Sequence, residues 1–586
     1  MMRHRLIIIF IIFTASLTLS CIKPGMAYFR YGDLARNNKS WDEAIVQYDR
    51  SIAADPTYAP AYYNRGLAYY HKLEYNTAID DFSKAIEMEP GDSKMYFTRG
   101  KAYLLMDNYT KAIDDFSQAL LLEKEYTNAF FQRGYTYYLM GEYSKAIYDY
   151  NEVIALDPNY EDIYLYRANA YANLGDYDSA IADYNKELAL HPEESEIPRK
   201  KAWMYFKRGD YDQAIDGYTD ALAINPSDPS IYRSRGQVYH AMGDYHKAIA
   251  DYDKAIELDQ NYANAYYYRG RSYYALLDFN KAISDFNSAI ELNPDYAEAY
   301  IERGKAQYAM GKTDEAVNDI DKAIDVKPDF ATAYNARGKI NHNLGLYEKA
   351  ISDFNEAIEL DPLYADAYYN RGNSYYNLGQ NDLAIADYDK AIELRLNDDD
   401  YYLKRGWVYR KSDEYQKSII DYNKYIGLNP NNAYAYCARG NARYNRKEYD
   451  EALWDFNKSI ELDPNFASAY FSRGNLYKIT GLFDLAIEDF TKAISLNPLD
   501  NKSYNRRGLV YKNLGRFDEA IADFTKAIEI DPLYSLSYNN RAWSYFNKGD
   551  FHSARDDFDK TLQLDPLFAD AQKGRDEIEK VIFELK

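Results

Sequence analysis

An arginine followed sixteen residues later by an aspartate recurs along this 586-residue chain: Arg65 and Asp81, Arg99 and Asp115, Arg303 and Asp319, and on to Arg541 and Asp557. A guanidinium presents a planar fork that matches a carboxylate, so such a row either orients structure or recognises anions. Other chemistry is thinly supplied. The seven histidines are His4, His71, His191, His240, His246, His342 and His552. No two of them are four residues apart, the helical spacing of a histidine metal pair. No phosphate loop or nucleophile elbow is present, so the chain carries no catalytic signature and calls for no metal or cofactor. Cys21 and Cys437 are the only cysteines and lie far apart, which excludes a disulfide framework and a cysteine zinc site. The formal charge of -22 excludes nucleic acid, whose recognition rests on cationic contacts to phosphate.

The arginines are positioned by a repeat. Glycine follows arginine at Gly66, Gly100, Gly134, Gly236 and onward to Gly508, always at multiples of 34, with Gly32 in the same register and Ala168, Ala202 and Ala542 filling the gaps. This defines sixteen repeats over residues 25–568 without an insertion. With Gly66 set as position 8, positions 4, 7, 8 and 11 form one helical stripe and positions 17, 20, 21, 24 and 28 a second. Position 20 is alanine in fifteen repeats (Ser418 departs), and position 24 is Phe or Tyr in fifteen (Ile320 departs). Position 32 is proline in thirteen, with Lys124, Gln260 and Leu396 as the exceptions. Proline cannot continue a helix, so it separates successive helix pairs. Small residues at 8 and 20 let two backbones approach, and aromatics fill the space around them.

Position 7 is arginine and position 23 aspartate in fourteen repeats each. Both change in repeats one and six, where Tyr31 and Lys201 meet Gln47 and Gly217. Joint departure points to a bridge between the two helices of one repeat, such as Arg65–Asp81 or Arg303–Asp319, rather than to a ligand row.

The set Tyr62, Gly66, Tyr69, Ala78, Phe82, Ala85 and Pro90, repeated in phase over about nine-tenths of the chain, resembles the tetratricopeptide repeat. The resemblance implies an all-α, right-handed solenoid of sixteen helix pairs whose first helices line a concave face. It implies protein or peptide binding there through positions 2, 5, 9, 12 and 13. Repeats two to five place Tyr63, Tyr70, Phe97, Phe131, Tyr135 and Tyr138 at such positions. Repeats eleven to sixteen place Asn373, Asn377, Trp407, Arg410, Lys411, Asn441, Tyr444, Asn475, Lys478, Lys512 and Trp543 there. The later set suits a carboxylate or an acidic peptide; the competing reading is a solvated helix face. Cys437 reads as a small groove residue rather than a nucleophile.

Three segments stand apart. "MMRHR", "LIIIFIIF" and "LTLSC" resemble a bacterial lipoprotein signal over residues 1–20, with Cys21 as the lipidated residue and 21–24 as a short linker. Thr18 stands where that signal usually has an aliphatic residue. An uncleaved apolar anchor is the alternative, and either ties the chain to a membrane in the cell envelope, with Ile22 favouring the outer membrane. "HPEESEIPRKKAW" puts Pro198 at position 4 of repeat six, which reads as a hinge near 191–200 or as a shortened first helix. Residues 569–586 carry Ile578, Val581, Ile582 and Leu585 and read as a capping helix. Two functions fit: a membrane-anchored interaction scaffold, or a carbohydrate-binding module that stacks sugars on the aromatics of repeats two to five.

Overall fold

The computed structural model describes residues 24–584. Cys21, residues 1–20 and Leu585 lie outside the described residues, as does the side chain of Ile582. Thirty-three helices and no strand occur among the described residues. They run from α1 (Pro24–Asn37) and α2 (Trp41–Ala54) through α3 (Ala59–His71) and α4 (Tyr75–Met88) to α32 (Phe551–Leu564), and end with α33 (Ala569–Glu584). Each odd-numbered helix from α1 to α31 packs on the next even one as a repeat pair, and within each of two units every pair packs on its neighbour in sequence. The chain is therefore an all-α solenoid. It divides into two units, residues 1–294 and 295–586. The first holds α1 to α16 (Phe279–Leu292), and the second begins with α17 (Ala297–Ala309).

The core of a pair is a small-on-large contact. In repeat two, Ala78, Phe82 and Ala85 of α4 and Ala61 and Ala68 of α3 are fully buried. A Cβ on Gly66 would lie 2.7 Å from Phe82 Cε1 and 3.2 Å from the Ala78 carbonyl oxygen. The glycine therefore costs helix propensity but admits the ring. Repeat six solves the same problem differently. Ala202 carries the extra methyl, and Gly217 faces it; a Cβ on Gly217 would come within 2.9 Å of the Ala202 Cβ. Gly217 leaves no carboxylate at position 23, so repeat six lacks the Arg–Asp pair, whereas Ala168 and Ala542 sit in repeats that keep Asp183 and Asp557 paired.

Two to four residues join the helices of a pair, and position 15 among them has positive φ in all sixteen repeats. Ten are glycine; Lys39, Leu73, Asp107, Leu277, Asp413 and Lys447 are not. An L-residue in the left-handed region is strained. Leu277 (φ 62) is 72% exposed, so its side chain returns little burial. Leu277→Gly is expected to stabilise its pair by about 1 kcal/mol. Chemical denaturation would read this, and a neutral or destabilising result would contradict it. Between repeats the chain turns through a short link, and in several of them an aspartate or asparagine at position 31 caps a backbone N–H two residues on, as Asp55 does for Thr57 and Asp157 for Asn159.

In repeat six, α11 (Glu196–Arg208) starts one residue late with Pro198 buried in its first turn, but at thirteen residues it is as long as α3 and so is shifted rather than shortened. In repeat five, α9 (Ile163–Leu174) starts two residues late behind Asp162, which has φ 56. At the C-terminus, α33 buries Ala571 and Ile578 and lays Gly574 on the Phe558 ring.

Candidate functional site

The recurring arginines are fully engaged. Arg65 Nε and Nη2 donate to the two oxygens of Asp81 at 2.8 and 2.6 Å. Arg303 does the same to Asp319 at 2.7 and 2.5 Å. Within each unit the remaining guanidinium nitrogen, Nη1, reaches back to position 25 of the preceding repeat: Arg65 to Asp49 at 2.6 Å, Arg99 to Ser83 at 2.9 Å, Arg235 to Thr219 at 3.0 Å, Arg473 to Asn457 at 2.6 Å. Even Lys201 donates to Asn185 at 3.2 Å. Each arginine also lies over the aromatic of position 4, as Arg65 does over Tyr62 with 5.5 Å to the ring centroid. One side chain thus ties three helices and holds the repeats in register. Position 25 was not singled out from sequence because its identity varies among Asp, Ser, Thr and Asn; a hydrogen-bond acceptor is what those residues share.

With these arginines committed, the cations left for a ligand stand elsewhere. In the first unit, a cavity of about 530 Å³ spans repeats five to seven, lined among others by Arg199, Lys200, Trp203, Lys207, Arg233 and Tyr177. Arg199 is held by Glu196 of its own helix at 2.6 Å, Lys207 sits over Trp203 at 4.8 Å, and Arg233 donates to the Tyr262 hydroxyl at 3.1 Å. Sequence reading saw this segment only as a packing irregularity. The signal available was the run of basic residues in "PRKKAWMYFKR".

In the second unit, a cavity of about 280 Å³ brings Asn373 and Trp407 together with His342, Tyr376, Asn377 and Lys404. Lys411 lies over Trp407 at 5.8 Å, and Arg410 has a buried Nε without an acceptor among the described residues. Lys478 and Lys512, at position 12 of successive repeats, are half-buried. No carboxylate lies within 4.0 Å of either among the described residues. Burial pushes both lysines below their ordinary value of 10.5; the Arg506 charge adds to the effect at Lys478, and the Asp570 charge opposes it at Lys512. Several expected groove groups are instead spent internally. Asn373 accepts from Tyr388 at 2.9 Å, Asn475 donates to its own helix at Phe471, and Asn441 donates to the Cys437 sulfur. Tyr444 packs against Tyr449, and Trp543 donates to Asp570 at 2.8 Å. Cys437 is itself a core residue, 4% exposed beside Phe456 and Leu476, not a groove wall; burial pushes its thiol up to about 11, which removes it as a nucleophile.

The aromatics of repeats two to five also pack on one another. Tyr63 tilts against Phe82, Phe97 against Tyr126, and Phe131 stacks on Tyr135 while meeting Tyr166 edge-on.

Residues 32–72, 134–175, 204–243, 236–276, 270–311, 308–345, 344–379 and 440–481 match the family described as TPR repeat. Residues 59–92, 93–126, 161–194, 365–398, 399–432, 467–499, 502–534 and 524–556 match families described as tetratricopeptide repeat. No curated protein matches the chain. Among solved structures, the APC/C hetero-tetramer Cut9–Hcn1 is similar at 15% identity and TM-score 0.40, over 77% of this chain and 96% of that one. A tetratricopeptide repeat protein from Parabacteroides merdae ATCC 43184 is similar at 21% identity and TM-score 0.38, over 42% and 98%. MamA is similar at 31% identity and TM-score 0.25, over 28% and 95%. Repeat period, helix pairing and family matches agree, and the chain belongs to the tetratricopeptide repeat family.

Proposed function

We propose that this protein is a non-catalytic interaction scaffold whose second unit takes an acidic segment of a partner protein on the first helices of repeats eleven to fifteen. Membership of the repeat family supports a protein-interaction scaffold in general. The observation that carries the finer reading is the pair Lys478 and Lys512, two half-buried cations without carboxylate partners on a chain of formal charge -22. A desolvated, unpaired cation is costly, and an anionic side chain that docks on it removes the cost. Lys411 and Arg410 extend the same cationic track. Lipidation at Cys21 completes the reading, holding the solenoid at a membrane of the cell envelope through acyl chains that each add ~0.8 kcal/mol per buried methylene. No helix among the described residues is long and apolar enough to cross a membrane. The mutual packing of the early aromatics leaves the carbohydrate reading without a specific observation in its favour.

The test is fluorescence anisotropy with a labelled glutamate-rich peptide. Lys478→Glu with Lys512→Glu is expected to weaken binding at least about ten-fold, as loss of two charge-assisted contacts requires. Affinity is also expected to fall as pH rises through the lowered lysine range below 10.5, because both groups then lose the charge that the peptide reads. Undiminished binding by the double variant would move the site elsewhere.

A further inference from the structure

Repeat five holds a buried acid at a position built for a methyl group. Position 27 is alanine in ten of the sixteen repeats, as at Ala85, Ala221 and Ala323, but it is Glu187 here. Glu187, on α10 (Tyr177–Leu190), is 1% exposed. Its Oε2 accepts from the Leu165 N–H at 3.1 Å, while Oε1 is buried without a hydrogen-bond donor. One turn on, His191 places Nε2 3.4 Å from Oε1. The third party is Asp162. It takes a left-handed backbone just before α9, the helix that starts two residues late in this repeat alone of its neighbours. One ligand atom from each of Asp162, Glu187 and His191 lies within 4.8 Å of the others.

We infer that Asp162, Glu187 and His191 form a binding site for a divalent transition-metal ion of the zinc class. The donor set is one imidazole and two carboxylates, which suits zinc-like ions better than calcium or magnesium, whose sites are built from oxygens. Bonds of about 2.0–2.2 Å fit between donors this close together after small side-chain adjustments. The buried Oε1 gains the partner it lacks, and His191, at the rim of the site with its side chain 41% exposed, gives access from solvent. The ion would clip the end of α10 to the start of α9, close to the irregular boundary between repeats five and six. Sequence reading passed over this set because it sought histidine pairs; the four-residue spacing here joins a glutamate to a histidine.

The experiment is a titration of the chain, purified without a histidine tag and stripped with chelator, with Co2+ followed by displacement with Zn2+. The visible absorption of cobalt reports its ligand field, and calorimetry counts equivalents. Wild type is expected to take one equivalent with a low-symmetry cobalt spectrum that Zn2+ erases. Glu187→Ala installs the commonest residue of position 27, so it tests the ligand without threatening the fold; His191→Ala is its companion. Each is expected to lower affinity at least about ten-fold, with circular dichroism unchanged. No cobalt spectrum in wild type, or binding unaltered in both variants, would overturn the site.

Discussion

Asp455→Ala is expected to destabilise its repeat by about 3–5 kcal/mol, the cost of leaving buried charge uncompensated. Asp455 is fully buried. It accepts from Arg439 Nη2 at 2.7 Å and from Arg443 Nη1 at 2.9 Å, and Arg439 is itself only 8% exposed. Removal strands two guanidinium groups between α25 (Ala433–Asn445) and α26 (Tyr449–Leu462). The surrounding register contact, Arg439 Nη1 to Asn423 at 2.6 Å, loses its anchor as well. Asp49→Ala is the internal contrast. Asp49 also contacts an arginine, Arg65, at 2.6 Å, but its side chain is 51% exposed. Water screens such a pair, and its loss is expected to cost under about 1 kcal/mol. Because neighbouring repeats unfold semi-independently, hydrogen exchange of α25 and α26 is the appropriate readout beside denaturation. Equal costs for the two variants would refute the division into buried frame and exposed accessory.

Phe354→Ala carries the second large effect, about 3–5 kcal/mol for emptying a fully buried ring site. Phe354 is 0% exposed and lies against Gly338, where an added Cβ would sit 2.6 Å from Cε1. Gly338→Ala alone is expected to cost about 1–3 kcal/mol by overpacking. The ring that causes the clash is the one that Phe354→Ala removes. The double variant should therefore cost less than the sum by at least about 1 kcal/mol, with the new methyl filling part of the cavity. Additivity within about 0.5 kcal/mol would mean the two residues do not meet. Chemical denaturation of the three variants measures this cycle.

Much of the fold is legible in residue spacing. Proline at position 32 and the stripes through positions 8 and 24 mark helix pairs because backbone sterics leave few alternatives at those places. The joint departure of positions 7 and 23 in repeats one and six carries the partner of each arginine. Two features were harder to read. Position 25 preserves a function, accepting from Nη1, through four different residue types. Position 15 preserves a backbone conformation that glycine adopts freely and Leu277 adopts at a cost. The groove was legible only in part, for a physical reason. An asparagine at a groove position looks the same in sequence whether its amide faces a ligand or, like that of Asn475, folds back onto its own helix at 2.9 Å. At position 12, Arg410, Lys478 and Lys512 are cations with no carboxylate within 4.0 Å among the described residues. The cavity of repeats five to seven was missed because its lining comes from three repeats, one of them irregular.

The most direct test of the scaffold is site-specific photo-cross-linking in native cells, with the probe beside Lys478, in parent and in the Lys478→Glu, Lys512→Glu variant. The account predicts that the parent captures an envelope protein, that the cross-linked peptide from it is rich in Asp and Glu, and that the variant loses the product. Equal capture by both proteins, or a captured segment without acidic character, would contradict it.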